Sequence, residues 1–248
     1  MHGEFSDMPP LLVLAAVPAE LALLTGSLAD RQEPLHPAWP AAVGRLGGQR
    51  LVCCAAGPGT ANAAGATAAL IERYRPSRVL ILGCGGAFPG SGLGVGDLAV
   101  ATEELFADLG VMAPEGWLDM ADLGLPLATV AGERHYNRIP LDAALAEQAL
   151  CCAGRQGVRA AGGSFATVAA CSGTTARGEE LARRYDVICE NMEGAAVALV
   201  CRRYAIPCVE IRGISNLVED RTRANWDIPA AVQVAQRAAL SLLAELAP

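Results

Sequence analysis

The sequence predicts a three-layer α/β domain, in which helices cover both faces of a central sheet. Short apolar runs recur along the chain, helical patterns lie between them, and most of the runs are apolar at every position rather than at alternate positions. Strands of this kind are buried on both faces, which requires a layer of helices on each side. A chain of 248 residues with 52% hydrophobic content is long enough to bury one such core.

Seven runs are predicted as strands because they are short and apolar. In chain order they are residues 11–17, 51–56, 79–82, 98–101, 165–170, 187–189 and 208–214. Six segments with helical patterns are predicted to supply the covering layers. These are residues 19–29, 60–74, 141–155, 176–185, 192–204 and 228–246.

Two segments fall outside this alternation of strands and helices. Residues 113–126 contain Pro114, Gly116 and Gly124 without a clear period, and we predict a long surface excursion that serves as a binding loop or a subunit contact. Residues 1–8 are predicted to form a disordered leader. The predicted domain therefore spans residues 9–248.

Charge and cysteine content narrow the classes of function. The formal net charge is −7 and no cluster of Lys and Arg occurs, which argues against nucleic-acid binding because that binding depends on neutralised phosphates. The nine cysteines lack metal-ligand spacing and are interpreted as reduced thiols. The apolar run at residues 11–17 is too short to span a bilayer and lacks the basic flank of a secretory signal. We predict a cytoplasmic protein with a small-molecule partner.

Glycine-rich segments follow the second and third predicted strands. They read AGPGTANAAGA and LGCGGAFPGSGLGVGD. Glycine lets a ligand approach the backbone closely, but neither segment has the spacing of a dinucleotide fingerprint or the Gly-Lys-Ser/Thr ending of a phosphate loop. Tight turns and close helix packing are the preferred explanation for most of these glycines.

Metal-dependent and serine-nucleophile patterns are also weak. His2, His36 and His135 lack the spacing of zinc ligands. Ser172 lacks the flanking glycines of a nucleophile elbow, and a helix cap is the preferred role for Ser172 or Thr174. No metal site is therefore predicted.

Carboxylates at the ends of predicted strands indicate a site more directly. Glu20 follows the first strand, Glu193 follows the sixth, and Glu210 opens the segment EIRGISN at the end of the seventh. In a parallel sheet these strand ends meet at one edge, where open α/β sheets bind ligands. Arg212 supplies the positive partner that two neighbouring carboxylates need. The alternative for each acid alone is a helix cap or an ordinary ion pair.

Glu193 raises the sharpest question, because the segment ENMEGAA leads a carboxylate into an apolar helix. If the helix begins near Met192, Glu193 shares a face with Ala196, Val197 and Val200 and is buried. A buried carboxylate is costly unless something binds it. Two explanations are open at this point: a favourable interaction with the helix dipole, or a ligand.

Five segments together resemble the purine nucleoside phosphorylase/nucleosidase superfamily over nearly the whole chain. They are VLAAVPAEL, GPGTANAAGAT, GCGGAFPGSGLGVGDLAVATEELFADLGV, ENMEGAAVALVCRRYAIPCVEIRGISN and EDRTRANWDIPAA. Within the superfamily, ENMEGAA, IRGISN and NWDIP are most similar to the futalosine hydrolase family, whose members remove hypoxanthine from futalosine in the alternative route to menaquinone. The resemblance implies a mixed central sheet, hydrolysis of an N-glycosidic bond without a cofactor, and a homo-oligomer.

The resemblance also implies a role for each residue that matches a family motif. Glu20 matches the acid that activates water, and Arg212 matches the arginine beside the water and the ribose. Met192 and Glu193 match the ribose site, with the carboxylate gripping the sugar hydroxyls. Asn216 matches the catalytic residue that contacts the base. The other expected substrate contacts are Ser215, Gly86, Ala87 and Trp226.

Three places in the sequence, compared with the family pattern, bear on the reaction. Where phosphorylases of this fold carry a phosphate-binding arginine, residues 15–19 read AAVPA, so water is the expected nucleophile. Where adenine-cleaving relatives have an aspartate, this chain has Asn216, whose amide can donate to N7 and to the 6-oxo group of hypoxanthine. Trp226 matches an aromatic position and is expected either to cover the nucleoside or to anchor the last helix.

Three other functions are open at this point. Two are enzymes of the same superfamily, a methylthioadenosine/S-adenosylhomocysteine nucleosidase and a purine nucleoside phosphorylase. The third is a non-catalytic nucleoside-binding or storage protein. The presence of both Glu20 and Glu193 argues against the third.

Overall fold

The central sheet is mixed, as the resemblance implies. The computed structural model describes residues 8–33 and 38–246, so the predicted leader lies outside the described residues apart from Met8. The strands are β1 (Leu11–Ala15), β2 (Ala29–Gln32), β3 (Ala41–Leu46), β4 (Gln49–Ala55), β5 (Arg78–Ala87), β6 (Leu98–Phe106), β7 (Gly110–Ala113), β8 (Gly116–Asp119), β9 (Ala128–Val130), β10 (Glu133–His135), β11 (Arg138–Pro140), β12 (Ala160–Thr167), β13 (Val187–Asn191) and β14 (Cys208–Leu217).

The helices fill the connections that the sequence patterns indicate. The α-helices are α1 (Ala22–Gly26), α2 (Thr60–Tyr74), α3 (Ala143–Arg155), α4 (Thr175–Tyr185), α5 (Gly194–Arg203) and α6 (Ile228–Glu245). Short 3₁₀ helices cover Pro18–Leu21 and Arg223–Asn225. Within the described ranges, none of the helices has both the length and the apolar character needed to cross a bilayer.

Five strands of the main sheet close into a ring. The path of the sheet is β11-β6-β12-β13-β5-β1-β4-β3-β2, and β14 pairs with both β5 and β6. Because β14 runs parallel to β5 and antiparallel to β6, the strands β5, β14, β6, β12 and β13 form a closed circuit. The circuit aligns Gly86 of β5 with Glu190 of β13 on one side and Asn216 of β14 on the other.

Helices cover both faces of the sheet, which confirms the predicted three-layer arrangement. Side chains of β1 alternate between two apolar clusters. Leu11 and Val13 pack with side chains of α1, α3 and α6, whereas Leu12 and Leu14 pack with side chains of α2 and α5. The continuous apolar run of β1 therefore reflects burial on both faces.

The helix predicted at residues 19–29 is wrong in extent. The chain forms the 3₁₀ helix Pro18–Leu21 and the short α1, and it enters β2 at Ala29. The carboxylate of Glu20 turns back to accept hydrogen bonds from the backbone N–H groups of the two residues before the 3₁₀ helix, Ala16 and Val17. These bonds satisfy free donors at the start of the turn and tighten it.

The predicted excursion at residues 113–126 is partly a hairpin. Strands β7 and β8 pair antiparallel, and Gly116 has a φ of +129°, which glycine adopts without strain. The hairpin presents apolar side chains to solvent. Met112 is 75% exposed, and Val111 and Leu118, which pair across the hairpin, are also exposed.

Candidate active site

Glu20 is held in one orientation directly after β1. Its Oε2 accepts hydrogen bonds from the backbone N–H groups of Ala16 at 3.0 Å and Val17 at 3.2 Å. Its Oε1 accepts one from the backbone N–H of Cys84 at 2.9 Å. The side chain is buried. Because each carboxylate oxygen has more than one lone pair, the carboxylate keeps acceptor capacity for a further donor such as water.

Arg212 lies in the middle of β14 and meets Glu20 beside Gly83. A Cβ on Gly83 would come within 2.5 Å of Arg212 Nη1 and 2.7 Å of Glu20 Oε1, so only glycine leaves room for both groups. Arg212 Nη1 also donates to the carbonyl of Cys84 at 3.1 Å. Cys84 therefore holds Glu20 by its N–H and Arg212 by its C=O.

Arg212 is a buried cation among acids. Burial alone would lower the pKa of its guanidinium, but the carboxylates of Glu210, Glu193 and Glu20 outweigh that effect and raise this pKa well above its usual value. Arg212 donates to Glu193 at 3.2 Å and to Glu210 at 2.6 Å. The site thus contains a permanent positive charge with carboxylates on several sides.

Glu193 lies immediately before α5, which begins two residues later than predicted. Its Oε1 accepts a hydrogen bond from the backbone N–H of Gly59 at 2.9 Å, and its Oε2 pairs with Arg212. The side chain makes no capping hydrogen bond to α5 and is buried. The carboxylate therefore turns away from its own helix and toward the space between β1 and β14.

Other residues cap the N-terminus of α5. Asn191 Oδ1 accepts from the backbone N–H groups of Glu193 at 2.9 Å and Gly194 at 2.8 Å. Thr167 Oγ1 accepts from that of Ala195 at 2.8 Å. Since these donors already have partners, the helix-cap explanation for the Glu193 carboxylate does not fit the geometry.

Asn216 lies beside Gly86, further along β5 than Gly83, where Glu20 and Arg212 meet. Its Nδ2 donates to the carbonyl of Leu217 at 2.9 Å, and its Oδ1 accepts from Ser215 Oγ at 2.8 Å. A Cβ on Gly86 would lie 3.1 Å from Asn216 Nδ2. A primary amide has two N–H donors, so one N–H of Asn216 is still available for a ligand.

Glu190 holds the loop on the opposite side of Gly86. It accepts hydrogen bonds from Ser172 through the backbone N–H at 2.9 Å and through Oγ at 2.6 Å. Burial raises the pKa of the Glu190 carboxyl. The predicted cap role is confirmed for Thr174, whose Oγ1 accepts from the backbone N–H of Arg177 at the start of α4.

The remaining predicted contacts differ in exposure. Met192 and Trp226 are half-buried. The guanidinium carbon of Arg221 lies 4.5 Å from the Trp226 ring centroid, and the next residue, Asp227, donates its N–H to the carbonyl of Ser215 at 2.9 Å. Ala87 is fully buried in an apolar cluster, and its role in substrate binding stays a prediction.

Sequence reasoning missed the backbone groups of the site and misplaced one acid. The N–H groups of Gly59 and Cys84 lie in the two glycine-rich segments, but a backbone donor has no signature of its own in a sequence. Glu210 does not lie at the edge of the sheet. It is the third residue of β14 and lies behind Arg212, because the strand continues past Glu210 to Leu217.

Comparisons with known proteins show which families the chain is similar to. The futalosine hydrolase of Thermus thermophilus is 36% identical over 200 residues, which cover 81% of this chain and 84% of the relative. That of Acidothermus cellulolyticus is 34% identical over 233 residues, which cover 93% and 89%.

The fold also has solved counterparts. A 5′-methylthioadenosine/S-adenosylhomocysteine nucleosidase from Neisseria meningitidis, in complex with methylthio-immucillin-A, matches with a TM-score of 0.83 at 24% identity, over 96% of this chain and 100% of that one. This likeness shows the shared fold. Residues 10–247 match the family described as the Phosphorylase superfamily. The match takes in every helix and strand that positions Glu20, Glu193, Arg212 and Asn216, and the chain belongs to the phosphorylase superfamily.

Proposed function

We propose that the chain hydrolyses the N-glycosidic bond of futalosine, releasing hypoxanthine and dehypoxanthinyl futalosine in menaquinone biosynthesis by the futalosine route. The observation that carries the proposal is the convergence of two buried carboxylates, Glu20 and Glu193, on Arg212, with Asn216 later in the same strand as Arg212. The two futalosine hydrolases at 36% and 34% identity support the choice of substrate.

Glu193 would bind the ribose. Two sugar hydroxyls can donate to its carboxylate, and these bonds offset the cost of its burial when the substrate is present. As the glycosidic bond breaks, positive charge develops on the sugar ring. A carboxylate already oriented by Gly59 and Arg212 stabilises that charge without reorganisation.

Glu20 would activate water. The water oxygen forms the new bond to the anomeric carbon while Glu20 accepts one of its protons. The electron pair of the broken carbon–nitrogen bond leaves with hypoxanthine, which takes up one proton from solvent, and Glu20 then returns the proton that it accepted to solvent. The free N–H of Asn216 donates to the base and stabilises the charge that develops there.

The surroundings of Glu20 favour water over phosphate as the nucleophile. The backbone N–H groups of Ala16 and Val17, directly after β1, already donate to Glu20. The stretch at residues 15–19 has no basic side chain. A phosphate ion would need such donors and positive charge, whereas a water molecule needs only the carboxylate and Arg212.

The test is incubation of the protein with futalosine, inosine and methylthioadenosine, with and without phosphate, followed by chromatography for free base. We expect hypoxanthine from futalosine without phosphate. Release of adenine from methylthioadenosine, with no base from the other two substrates, would instead assign a methylthioadenosine nucleosidase. A requirement for phosphate would assign a phosphorylase. Release of no base from any substrate would favour the nucleoside-binding protein.

Asn216→Asp is expected to change the base preference by at least about tenfold, the equivalent of one hydrogen bond. The Asn216 amide can donate to a 6-oxo group. A 6-amino group would instead place its own N–H donors against the N–H of Asn216, so neither would have a partner. A protonated aspartate would donate to N7 and accept from a 6-amino group, and an ionised one would repel the 6-oxo oxygen. The measurement is kcat/KM for futalosine and its 6-amino analogue.

The control for this substitution is Asn225→Asp, which makes the same chemical change at an exposed position of the 3₁₀ helix Arg223–Asn225. Its ratio of the two kcat/KM values should equal that of the wild type. An unchanged ratio in the Asn216 variant as well would mean that Asn216 does not face the base.

The proposed place of action is the cytoplasm. All nine cysteines lie in described parts of the chain, and all nine are free thiols. Burial raises the pKa of Cys54 and Cys84 to about 11, so both stay protonated. Unpaired, protonated thiols suit a reducing compartment.

The proposed assembly is a homo-oligomer that buries the β7–β8 hairpin. Met112→Glu is expected to shift the protein to a smaller species in size-exclusion chromatography with light scattering, because a charge at this exposed apolar position opposes burial against a second copy. Leu23→Glu, at an exposed apolar position on α1, is the control. A Met112 variant with the mass of the wild type would contradict a role for the hairpin in assembly.

A further inference from the structure

Two more acids lie behind Arg212, away from the space between Glu20 and Glu193. Glu104 of β6 and Glu210 of β14 are both 0% exposed. A Cβ on Gly194 would overlap Glu104 Oε1 and Glu210 Oε2 at once, so the two carboxyl groups adjoin each other where glycine leaves room. Among the described residues, no N–H or hydroxyl group donates to Glu210 Oε2.

We propose that Glu104 and Glu210 share one proton and act as a positioning pair for Arg212 and Glu193. Two adjoining carboxylates cannot both carry charge in a dry interior. A proton on Glu104 Oε1 satisfies Glu210 Oε2 and leaves Glu210 negative. The other oxygen of Glu210, Oε1, then accepts from Arg212 Nε at 2.6 Å and fixes the plane of the guanidinium.

The same pair reaches Glu193 through the cap of α5. Glu104 accepts from Asn191 Nδ2 at 3.0 Å and from Thr167 Oγ1 at 2.6 Å. Asn191 and Thr167 in turn accept the first N–H groups of α5, including that of Glu193. Glu104 therefore supports the backbone of Glu193 through Asn191, and Glu210 supports the side chain of Arg212.

The charges around Glu104 favour its neutral form. Glu210 and Arg212 face it from β14, Cys189 from β13, and Glu193 lies at the start of α5. Burial first, and the charge of Glu210 second, raise the pKa of the Glu104 carboxyl well above its usual value, while the Thr167 hydrogen bond and Arg212 oppose the rise. Ionisation of Glu104 would add a further negative charge beside Arg212, whose guanidinium already faces the carboxylates of Glu210, Glu193 and Glu20.

The shared proton makes stability depend on pH in a definite direction. In the unfolded chain the Glu104 carboxyl ionises near pH 4.5, whereas the folded protein keeps the proton to a higher pH. Between pH 4.5 and the higher pKa of Glu104 in the folded protein, the folded protein therefore binds more protons than the unfolded protein. The unfolding equilibrium constant should rise with pH by up to about tenfold per pH unit from this group, so stability is lost as pH rises.

Glu104→Gln tests the proton directly by urea unfolding of the full chain between about pH 5 and pH 9. Glutamine donates permanently to Glu210 and has no proton to lose, at the cost of the bond from Asn191. Its stability should fall less steeply with pH than that of the wild type. Glu103→Gln is the control, because Glu103, on the same strand, pairs with Arg138 near the surface. Parallel curves for wild type and Glu104→Gln would overturn the shared proton.

Kinetics test the positioning role, which rests on the proposed function. Glu104→Gln should lower the neutral-pH kcat/KM for futalosine, because the bond from Asn191 that helps to place Glu193 is lost, and its kcat/KM should change less with rising pH than that of the wild type. Glu210→Gln should lower kcat/KM by about tenfold, since Arg212 loses a charged partner. Wild-type kcat/KM in Glu210→Gln would overturn the positioning role. Release of no base by the wild type would overturn the proposed function, while the unfolding curves would still decide whether the proton is shared.

Discussion

Glu20→Gln is expected to lower kcat for futalosine hydrolysis by about 10²–10⁴-fold while KM changes little. The amide keeps the shape of the side chain but cannot take a proton from water. The hydrogen bonds to Glu20 come from backbone N–H groups and its charge faces Arg212, whereas Glu193 and Asn216 are held by other groups, so the ribose and base contacts are left in place. Steady-state kinetics give the effect on turnover, and calorimetric titration with hypoxanthine checks that ligand binding persists.

A matched control for this substitution is Glu33→Gln. Glu33 is exposed and pairs with Arg31 at the surface, so the same chemical change there should leave both kinetic constants at wild-type values. A Glu20 variant with near-normal turnover would remove Glu20 from the mechanism and leave the source of the activated water unexplained.

Glu193→Gln is expected to lower kcat/KM by about 10²–10³-fold, with contributions from both kcat and KM. A neutral amide accepts weaker hydrogen bonds from the ribose hydroxyls and cannot balance the positive charge on the sugar. It also removes one of the charged partners of Arg212. The measurement is steady-state kinetics together with a thermal unfolding curve for each protein.

Thermal unfolding separates this role from a structural one. Glu179→Gln, at an exposed position on α4, is the control and should match the wild type in kinetics. If Glu193→Gln lowered Tm and left the kinetics unchanged, the carboxylate would serve the helix rather than the ribose.

The layers of the fold were predictable because they follow from the distribution of apolar residues. The helix predicted at residues 60–74 coincides with α2. Strand β12, by contrast, begins five residues before the predicted run, because Gly162 and Gly163 give no apolar signal. They are part of the strand where side chains from neighbouring elements, Leu150 and Ile188, cover the positions that their own side chains would take.

The candidate site was also predictable from the sequence only in part. Glu20, Glu193 and Arg212 were predictable because charged side chains in apolar surroundings are conspicuous in a sequence. The pair of Glu104 and Glu210 was not recognised, since nothing local in the sequence shows that residues on β6 and β14 meet. That contact depends on β14 pairing with both β5 and β6, which is a property of the whole sheet.

The closed ring of strands can form only after all five of its strands have been synthesised. Strand β14 follows β5, β6, β12 and β13 in the chain, and until it emerges from the ribosome, β5 and β6 each present an open edge where β14 will bind. Open edges of this kind invite pairing with other chains. A nascent chain that stalls before β14 lacks Arg212 and Asn216 and exposes two such edges, so the strand of the ring that is translated last both completes the proposed site and protects the nascent protein from aggregation.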